Sequence, residues 1–319
     1  MKIIYCGCGQ FGVDSLNALK ASSHQLLHII THPDKQAGRG RKLRANDVAQ
    51  WAEQNNVPFT TIEDINSPEG LQLVKKLAPD LLVIIAFGQK ISPDIINIPP
   101  KGAINVHGSL LPKFRGAAPI NWAIINGETE TGVTIITLAQ KMDAGEMLAQ
   151  AKIKIADDDS ADIVHDALAK LAAPLLIETI DKIQAGTAVY TKQDNTKATA
   201  APKLKKSDGR IDFTLSARQI HNKVRGLCPW PGAAACFVSA QNGKKCPAAI
   251  SKTIVSDEYA KHDRAGLVDA ELNIACGTGS IKILELKPHG GKMMDFKSFL
   301  NGRGNGAGDF FVPLEENGQ

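Results

Sequence analysis

The residues best suited to chemistry lie in the stretch 103–120, which reads AINVHGSLLPKFRGAAPI. Its opening alternates as the end of a strand does, so Asn105 and His107 lie on one face and point into one site. The chain turns sharply at Gly108, which places both side chains outside the carboxyl end of the strand. A structural hydrogen-bonding pair would explain the same two residues, so catalysis is one of two interpretations on local grounds.

Asp143 is the third candidate. It lies in the segment QKMDAGEM, just after an apolar strand predicted at residues 132–138. A carboxylate at this position can accept a proton from His107 and fix its tautomer. An aspartate that forms a turn before Gly145 is the alternative. If the three side chains meet, they form a site for proton transfer.

Length and composition limit the kind of protein. A chain of 319 residues favours two domains with separate cores, and 43% hydrophobic with 22% charged residues is typical of a globular protein in water. The longest apolar run is far shorter than the ~20 residues that span a bilayer, and the N-terminus lacks the pattern of a signal peptide. We therefore expect a cytoplasmic protein with no membrane segment.

The six cysteines show neither a C-x-x-C pair nor histidines at zinc-ligand spacing. They predict reduced, mostly buried thiols and no metal site.

Positive charge is concentrated in two places. From residue 203 onward 17 Lys and Arg face 12 Asp and Glu, whereas residues 1–202 carry 20 against 21. Within the first part, residues 34–47 carry five cations against two acids and predict a mobile basic loop. Two basic surfaces suggest a polyanionic partner that contacts both, with ordinary solvated surface as the alternative.

The order of elements predicts an α/β fold followed by a β-barrel. Strands and helices alternate through residues 1–186, which indicates a mostly parallel sheet. Residues 187–206 have few large apolar side chains and predict a linker. In residues 207–319, short strands predicted at 211–213, 234–238, 247–255, 266–270, 272–275 and 280–286 favour a small OB-like barrel, although a sandwich is nearly as compatible.

The turn at residues 7–12, GCGQFG, fits the G-x-G-x-x-G pattern of dinucleotide sites. Asp34 lies near the place of a ribose-binding acid, so a nicotinamide-dependent dehydrogenase is an alternative. Asp34 follows a proline and begins the basic segment, which is unlike an adenosine pocket.

Several motifs resemble the N10-formyltetrahydrofolate-dependent formyltransferases over nearly the whole chain. They are NVHGSLLPKFRG with a downstream Asp-x-Gly, THPDKQAGRGRKL, KLKKSDGRIDF and RGLCPWPGA. The resemblance implies a Rossmann-like catalytic domain and an OB-like tRNA-binding domain. It also implies transfer of a formyl group from N10-formyltetrahydrofolate to the α-amino group of methionyl initiator tRNA, in support of translation initiation. Gly7-Cys8-Gly9 and Phe213 depart from the family pattern, but neither touches the candidate catalytic residues.

The resemblance implies roles for individual residues. Asn105 would donate to the oxyanion, His107 would add a donor or relay a proton, and Asp143 would orient His107, with no metal required. The folate would lie against Phe87, Gly88, Ile91, Ser109, Leu110, Leu111 and Pro112. The tRNA would contact Arg39, Arg41, Lys42, Lys205, Lys206 and Arg210. The protein would act as a monomer.

Two further interpretations stay open. Formylation of a small amine, such as a sugar nucleotide or glycinamide ribonucleotide, uses the same chemistry but leaves both basic surfaces unexplained. A tRNA-binding module without catalysis would use only the barrel and the basic loop.

Overall fold

A computed structural model describes residues 1–37, 42–44, 46–256, 264–304 and 306–315, with the backbone alone at 35–37 and 42–44. The chain forms two compact units. The first comprises Met1–Pro119, Glu130–Ile153 and His165–Pro202, and the second comprises Ile120–Thr129, Lys154–Val164 and Lys203–Gln319. Each unit thus gathers segments that are distant in sequence. The domain boundaries expected at residues 186 and 207 stay a prediction.

The first unit is built on a mostly parallel sheet. The strands up to residue 201 are β1 (Lys2–Gly7), β2 (Gln25–Thr31), β3 (Lys35–Ala37), β4 (Lys42–Arg44), β5 (Phe59–Thr61), β6 (Leu81–Ile85), β7 (Ala103–His107), β8 (Arg115–Gly116), β9 (Glu130–Thr137), β10 (Met147–Lys154) and β11 (Ala200–Ala201). The sheet order is β10-β9-β7-β6-β1-β2-β5. The five neighbours β7, β6, β1, β2 and β5 run parallel, and β9 is antiparallel to β7. β6 is buried throughout, as expected for a central strand covered on both faces. The predicted α/β class is confirmed.

Eight helices lie in the described part of the chain, and at least two of them begin at a side-chain cap. They are α1 (Val13–Ala21), α2 (Asp47–Gln54), α3 (Pro68–Leu77), α4 (Pro93–Ile96), α5 (Pro119–Ile125), α6 (Ala161–Ala185), α7 (Ala217–Gly226) and α8 (Phe296–Leu300). Asn46 caps α2 by accepting from Val48 N at 3.0 Å, and Ser67 caps α3 by accepting from Gly70 N at 3.2 Å. Among the described residues, no helix has both the length and the apolar composition needed to span a bilayer.

Two parts of the first unit differ from the prediction. β3 and β4 pair antiparallel inside the segment predicted as an irregular basic loop. β10, at the edge of the main sheet, was not predicted at all. β3 and β4 have three residues each, too few for a hydrophobic pattern. β10 does alternate apolar and polar residues, MLAQAKIK, with the polar ones more exposed, so it carries a strand signal that the sequence analysis missed.

The second unit contains a barrel-like antiparallel sheet. Its strands are β12 (Ala233–Val238), β13 (Lys245–Ser256), β14 (Ile274–Ala275), β15 (Ser280–Pro288), β16 (Met294–Asp295) and β17 (Phe310–Val312). Their order is β14-β15-β13-β12-β17, with β16 on β15. Bridges from Leu267 to Phe310 and from Val268 to Ile274 link β17 back towards β14, which nearly closes the sheet. The predicted barrel is confirmed, although residues 266–270 contribute single bridges instead of a strand, and no strand forms at residues 211–213.

A buried arginine on α7 fastens residues 154–164 within the second unit. The Arg225 guanidinium donates to Asn222 Oδ1 at 3.0 and 2.9 Å, to the Ala156 carbonyl at 2.9 Å and to the Asp159 carbonyl at 3.1 Å. Arg225 is 8% exposed, so these acceptors replace most of its hydration. Arg225 thus ties the segment to α7 at two carbonyls, beside the contacts that His221 and Arg218 make with Asp157.

Replacing Arg225 with alanine should lower the free energy of unfolding by roughly 2–4 kcal/mol, because the buried Asn222 Oδ1 loses its donor and two partly covered carbonyls lose theirs. Arg218→Ala is the matched control, since Arg218 is a half-exposed arginine on the same helix that pairs with the exposed Asp157. Its loss should cost less than about 1 kcal/mol. Urea unfolding of the two variants measures both effects, and equal losses would contradict the role given to Arg225.

None of the six cysteines, all of which lie in described segments, forms a disulfide. Cys6 and Cys236 are buried, but the other four, Cys8, Cys228, Cys246 and Cys276, are only partly covered. The expectation of mostly buried thiols is therefore wrong. Cys8 shows why, because it lies in the turn after β1 and not in the strand itself.

Candidate active site

β7 carries two of the three candidate catalytic side chains. Asn105 and His107 are two residues apart on this strand, so their side chains lie on the same face of the sheet. β7 is flanked by β6 and β9, and His107 is its last residue. Asn105 is partly exposed, and within the described part of the chain no group hydrogen-bonds its side chain. Its amide is available to a ligand.

His107 is held through one ring nitrogen. Its Nε2 lies 2.9 Å from the carbonyl oxygen of Phe114, and the side chain is 6% exposed. A carbonyl oxygen only accepts, so Nε2 must carry the proton of this hydrogen bond. Nδ1 is therefore the nitrogen left for chemistry.

Asp143 reaches the site from the loop that joins β9 to β10. Because β9 is antiparallel to β7, its end at Thr137 lies near the beginning of β7, away from His107. The loop then returns along β7 and brings Asp143 Oδ2 to 3.6 Å from His107 Nδ1. The Gly116 amide donates to the same oxygen at 2.8 Å and holds the carboxylate.

The His107–Asp143 pair is suited to take up one proton. A separation of 3.6 Å is too long for a direct hydrogen bond but close enough for charge attraction. With Nε2 protonated, a neutral ring presents a lone pair at Nδ1 to the carboxylate. A proton added at Nδ1 makes the ring a cation, which the carboxylate stabilises. The pair can thus serve a reacting group that loses a proton nearby.

β8 is held by β11 in a short parallel pair. The Phe114 amide donates to Thr199 Oγ1 at 2.8 Å, across 85 residues of sequence. The Arg115 amide donates to the Thr199 carbonyl at 2.8 Å. The carbonyl that bonds His107 is therefore positioned by a segment much later in the chain.

Gly116 allows the close approach of β8 to β11. Its φ is 130°, and an added Cβ would lie 2.4 Å from the Ala201 carbonyl oxygen. A side chain there would push the two strands apart. Since the Gly116 amide donates to Asp143, the pairing of β8 with β11 positions the Asp143 carboxylate as well as the His107 imidazole.

Gln193 is a site residue that the sequence analysis misses. It is 9% exposed, and its amide nitrogen donates to the carbonyls of Asp143 at 2.7 Å and Gly145 at 2.8 Å. It lies in the segment predicted as a linker, because that prediction rests on the lack of large apolar residues. A buried glutamine bonded to backbone carbonyls leaves no hydrophobic pattern, so composition gives no signal for it.

The two segments predicted to bind the folate follow β6 and β7. These strands are parallel neighbours, so both segments lie at the same edge of the sheet. Phe87, Ile91, Ser109 and Leu111 are buried. The remaining predicted residues, Gly88, Leu110 and Pro112, keep exposed surface. These three can contact a ligand directly, whereas the buried four support the segments.

Internal hydrogen bonds shape the turn after β7. Ser109 Oγ donates to the Lys113 carbonyl at 2.7 Å, and Thr134 Oγ1 donates to the Ser109 carbonyl at 2.6 Å. Thr134 Oγ1 also accepts from Leu111 N at 3.1 Å. Thr134 lies opposite His107 on β9, so the turn is anchored to the strand next to the candidate site.

The residues predicted to contact tRNA fall into two groups. Arg39 and Arg41 lie outside the described residues, and Lys42 is in β4 with its backbone alone described. In the second unit, Lys205 and Lys206 are exposed at the start of a 3₁₀ turn. Arg210 is partly exposed, and its backbone forms a β-bridge with Ala234.

The glycine turn after β1 has a packing explanation. A Cβ at Gly12 would lie 1.8 Å from the Tyr5 hydroxyl oxygen, so this glycine makes room for a buried ring. Burial raises the pKa of Tyr5. Asp34 Oδ1 accepts from Asn46 N at 3.0 Å and so joins the two ends of the basic segment. Both features have a structural reason that does not involve a dinucleotide.

Models of the formyl transferase family match most of the chain. The formyl transferase model matches residues 1–180, and the model of the formyl transferase C-terminal domain matches residues 203–304. The chain is 38% identical over 303 residues to the methionyl-tRNA formyltransferase of Geobacter sulfurreducens, which covers 95% of this chain and 94% of that protein. It is 40% identical over 305 residues to the methionyl-tRNA formyltransferase of Caldanaerobacter subterraneus subsp. tengcongensis, which covers 95% and 97%.

Solved structures resemble the fold. An N-formyltransferase from Helicobacter canadensis, in complex with folinic acid and dTDP-3-aminofucose, matches with a TM-score of 0.67 at 18% identity over 89% of this chain and 98% of that one. HypX from Aquifex aeolicus, in complex with tetrahydrofolic acid, matches with a TM-score of 0.59 at 16% identity over 99% of this chain and 51% of that one. At these identities the likeness concerns the fold alone.

Proposed function

The chain belongs to the formyl transferase family, and on that premise we propose that it transfers a formyl group from N10-formyltetrahydrofolate to the α-amino group of methionyl initiator tRNA, in support of translation initiation. The proposal is carried by one observation: the similarity to methionyl-tRNA formyltransferases extends over 95% of the chain. The candidate catalytic residues alone do not define the acceptor. The excess of Lys and Arg over Asp and Glu from residue 203 onward favours a tRNA over a small amine.

Formyl transfer makes three demands on the site. The amine attacks the formyl carbon, and a carbon–nitrogen bond forms while the carbonyl oxygen becomes an oxyanion. The attacking nitrogen then has to lose a proton. Finally the bond to N10 of the folate breaks, and N10 gains a proton. The site must therefore stabilise a negative oxygen and move a proton without competing water.

Asn105 is proposed to stabilise the oxyanion. Its amide has no hydrogen-bond partner among the described residues and lies on the face of β7 that carries His107. An amide donor that costs no rearrangement in the transition state is worth roughly 3 kcal/mol in comparable sites.

The His107–Asp143 pair is proposed to accept the proton of the attacking amine. Nε2 is occupied by the Phe114 carbonyl, so Nδ1 receives the proton and Asp143 stabilises the resulting imidazolium. The same N–H then returns the proton towards the leaving N10. In this scheme neither step calls for a metal.

The folate is proposed to bind along the edge formed after β6 and β7. Gly88, Leu110 and Pro112 supply surface there, and the buried residues of both segments keep it in place. The tRNA is proposed to contact Arg39, Arg41 and Lys42 in the basic segment and Lys205, Lys206 and Arg210 in the second unit. We further propose a monomeric, cytoplasmic enzyme.

The test is an assay with N10-formyltetrahydrofolate that compares methionyl initiator tRNA with glycinamide ribonucleotide as acceptor. We expect formylmethionyl-tRNA and no formylated glycinamide ribonucleotide. Formylation of the small amine alone would reject the proposed acceptor. No transfer to either would reject the proposed reaction, and a titration with NADH tests the dehydrogenase alternative.

Replacing Lys205 and Lys206 together with alanine should weaken tRNA binding and leave folate binding unchanged. Each lost phosphate contact should reduce the slope of log K against log salt concentration by about 0.7–0.9. Lys75 and Lys76 on α3 provide the control, because they are also adjacent, exposed lysines and their removal changes the net charge equally. Filter binding at several salt concentrations measures both pairs. Identical slopes for the two double variants would contradict a specific role for Lys205 and Lys206.

A further inference from the structure

The side-chain amide of Gln193 makes four hydrogen bonds. Its Nε2 has two hydrogens, which bond the Asp143 and Gly145 carbonyls. Its Oε1 accepts from Arg115 Nε at 3.1 Å and Nη2 at 2.7 Å. An arginine only donates and a carbonyl only accepts, so the orientation of the amide is fixed by its partners. Every hydrogen-bonding position of this buried side chain is used.

These bonds hold the loop where its backbone is left-handed. Asp143 adopts a φ of 52°, a conformation that is uncommon for residues other than glycine, although aspartate adopts it more readily than most. Gln193 bonds the carbonyl of Asp143 and the carbonyl of Gly145 two residues later. The loop is thus held at its left-handed residue and directly after it.

The same contacts form a closed ring around the carboxylate. Gln193 holds the Asp143 backbone, and Arg115 holds Gln193. The next residue after Arg115 is Gly116, whose amide bonds the Asp143 carboxylate at 2.8 Å. The backbone of Asp143, through Gln193, and its side chain, through Gly116, are therefore both held by contacts that lead back to residues 115–116.

We infer that Gln193 is a positioning residue, which sets the distance between the Asp143 carboxylate and His107 Nδ1 and thereby the rate of formyl transfer. It does not contact the reacting atoms. The inference rests on the proposed function for its kinetic consequence, although the geometry it controls can be measured without activity. Loss of these bonds lets the loop relax, so the carboxylate moves away from the imidazole.

The variant Gln193→Glu removes both N–H donors while it keeps the length of the side chain and its attraction for Arg115. Its oxygen would face two carbonyl oxygens, so the loop must move. We expect kcat to fall by about 10–100-fold, with KM for tRNA and for folate changed by less than about threefold, since a 1 Å displacement of a catalytic group has effects of this size. Asn195→Ala is the control, because it removes only the second acceptor of Arg115, at 2.9 Å, on an exposed residue. This control should keep wild-type kcat.

A second measurement separates positioning from general destabilisation. At one fixed pH, the ring nitrogen signals of ¹⁵N-labelled protein should move for His107 in Gln193→Glu, because the carboxylate beside Nδ1 is displaced, and should stay in place for distant histidines such as His28. Unaltered kcat and an unaltered His107 signal would overturn the inference. A fall in kcat that parallels a fall in melting temperature, with no change at His107, would also overturn it. An inactive wild type with a shifted His107 signal in the variant would reject the proposed function and leave the positioning role standing.

Discussion

Asn105→Ala should lower kcat by about 10²–10³-fold with little change in KM for either substrate, because it removes the donor that we propose for the oxyanion in the transition state. The side chain has no hydrogen-bond partner among the described residues, so its removal should leave the fold intact. Steady-state kinetics with methionyl initiator tRNA measures the effect, and thermal unfolding checks the fold.

Asn105→Asp is the matched variant for this prediction. It keeps the size of the side chain but places a negative charge where the oxyanion forms, so it should be at least as inactive as alanine. Asn97→Ala, at an exposed asparagine directly after α4, should behave as wild type. If Asn105→Asp kept substantial activity, the amide would not be the donor to the oxyanion.

Asp143→Asn should lower kcat by about 10³-fold, within the range found for lost acid–base partners. The amide oxygen of asparagine can still accept from Gly116, so the loop keeps its anchor. The charge that stabilises a proton on His107 Nδ1 is lost, and the imidazole becomes a weaker acceptor for the proton of the amine. Single-turnover kinetics separates this loss in the chemical step from substrate binding.

Asp94→Asn provides the control for charge, since Asp94 is an exposed aspartate in the first turn of α4. It should retain wild-type kcat. Combining Asp143→Asn with His107→Ala should cost little more than the worse single change, because the two groups act as one unit. Additive losses would mean that Asp143 and His107 work independently.

Much of the site follows from local sequence. The spacing of Asn105 and His107 on an alternating strand places both on one face, and the turn at Gly108 places them at a strand end. Asp143 was recognisable as a carboxylate in the loop after the next strand. Helix starts at Asn46 and Ser67 were predictable for the same reason, since a cap is a local interaction.

The route by which Asp143 arrives was not predictable. Parallel strands end at one edge of a sheet, but β9 is antiparallel to β7, so its loop has to double back to reach His107. The contacts that hold it there come from Gly116 and Gln193, the second of them 50 residues away from Asp143 in sequence. Such polar, long-range bonds have no periodic pattern. Sequence patterns therefore point to candidate reacting groups more readily than to the groups that position them.

The pairing of β8 with β11 has a consequence for the order in which the protein becomes an enzyme during its synthesis. Asn105, His107 and Asp143 all leave the ribosome well before residues 193–201, which hold their loops in place. A nascent chain that has emerged only as far as the end of α6 carries every candidate reacting group and the Gly116 contact to Asp143, but not the contacts of Gln193 and Thr199. The candidate site is therefore held by all of its contacts only after the chain has passed residue 201, and not when the last candidate side chain is made.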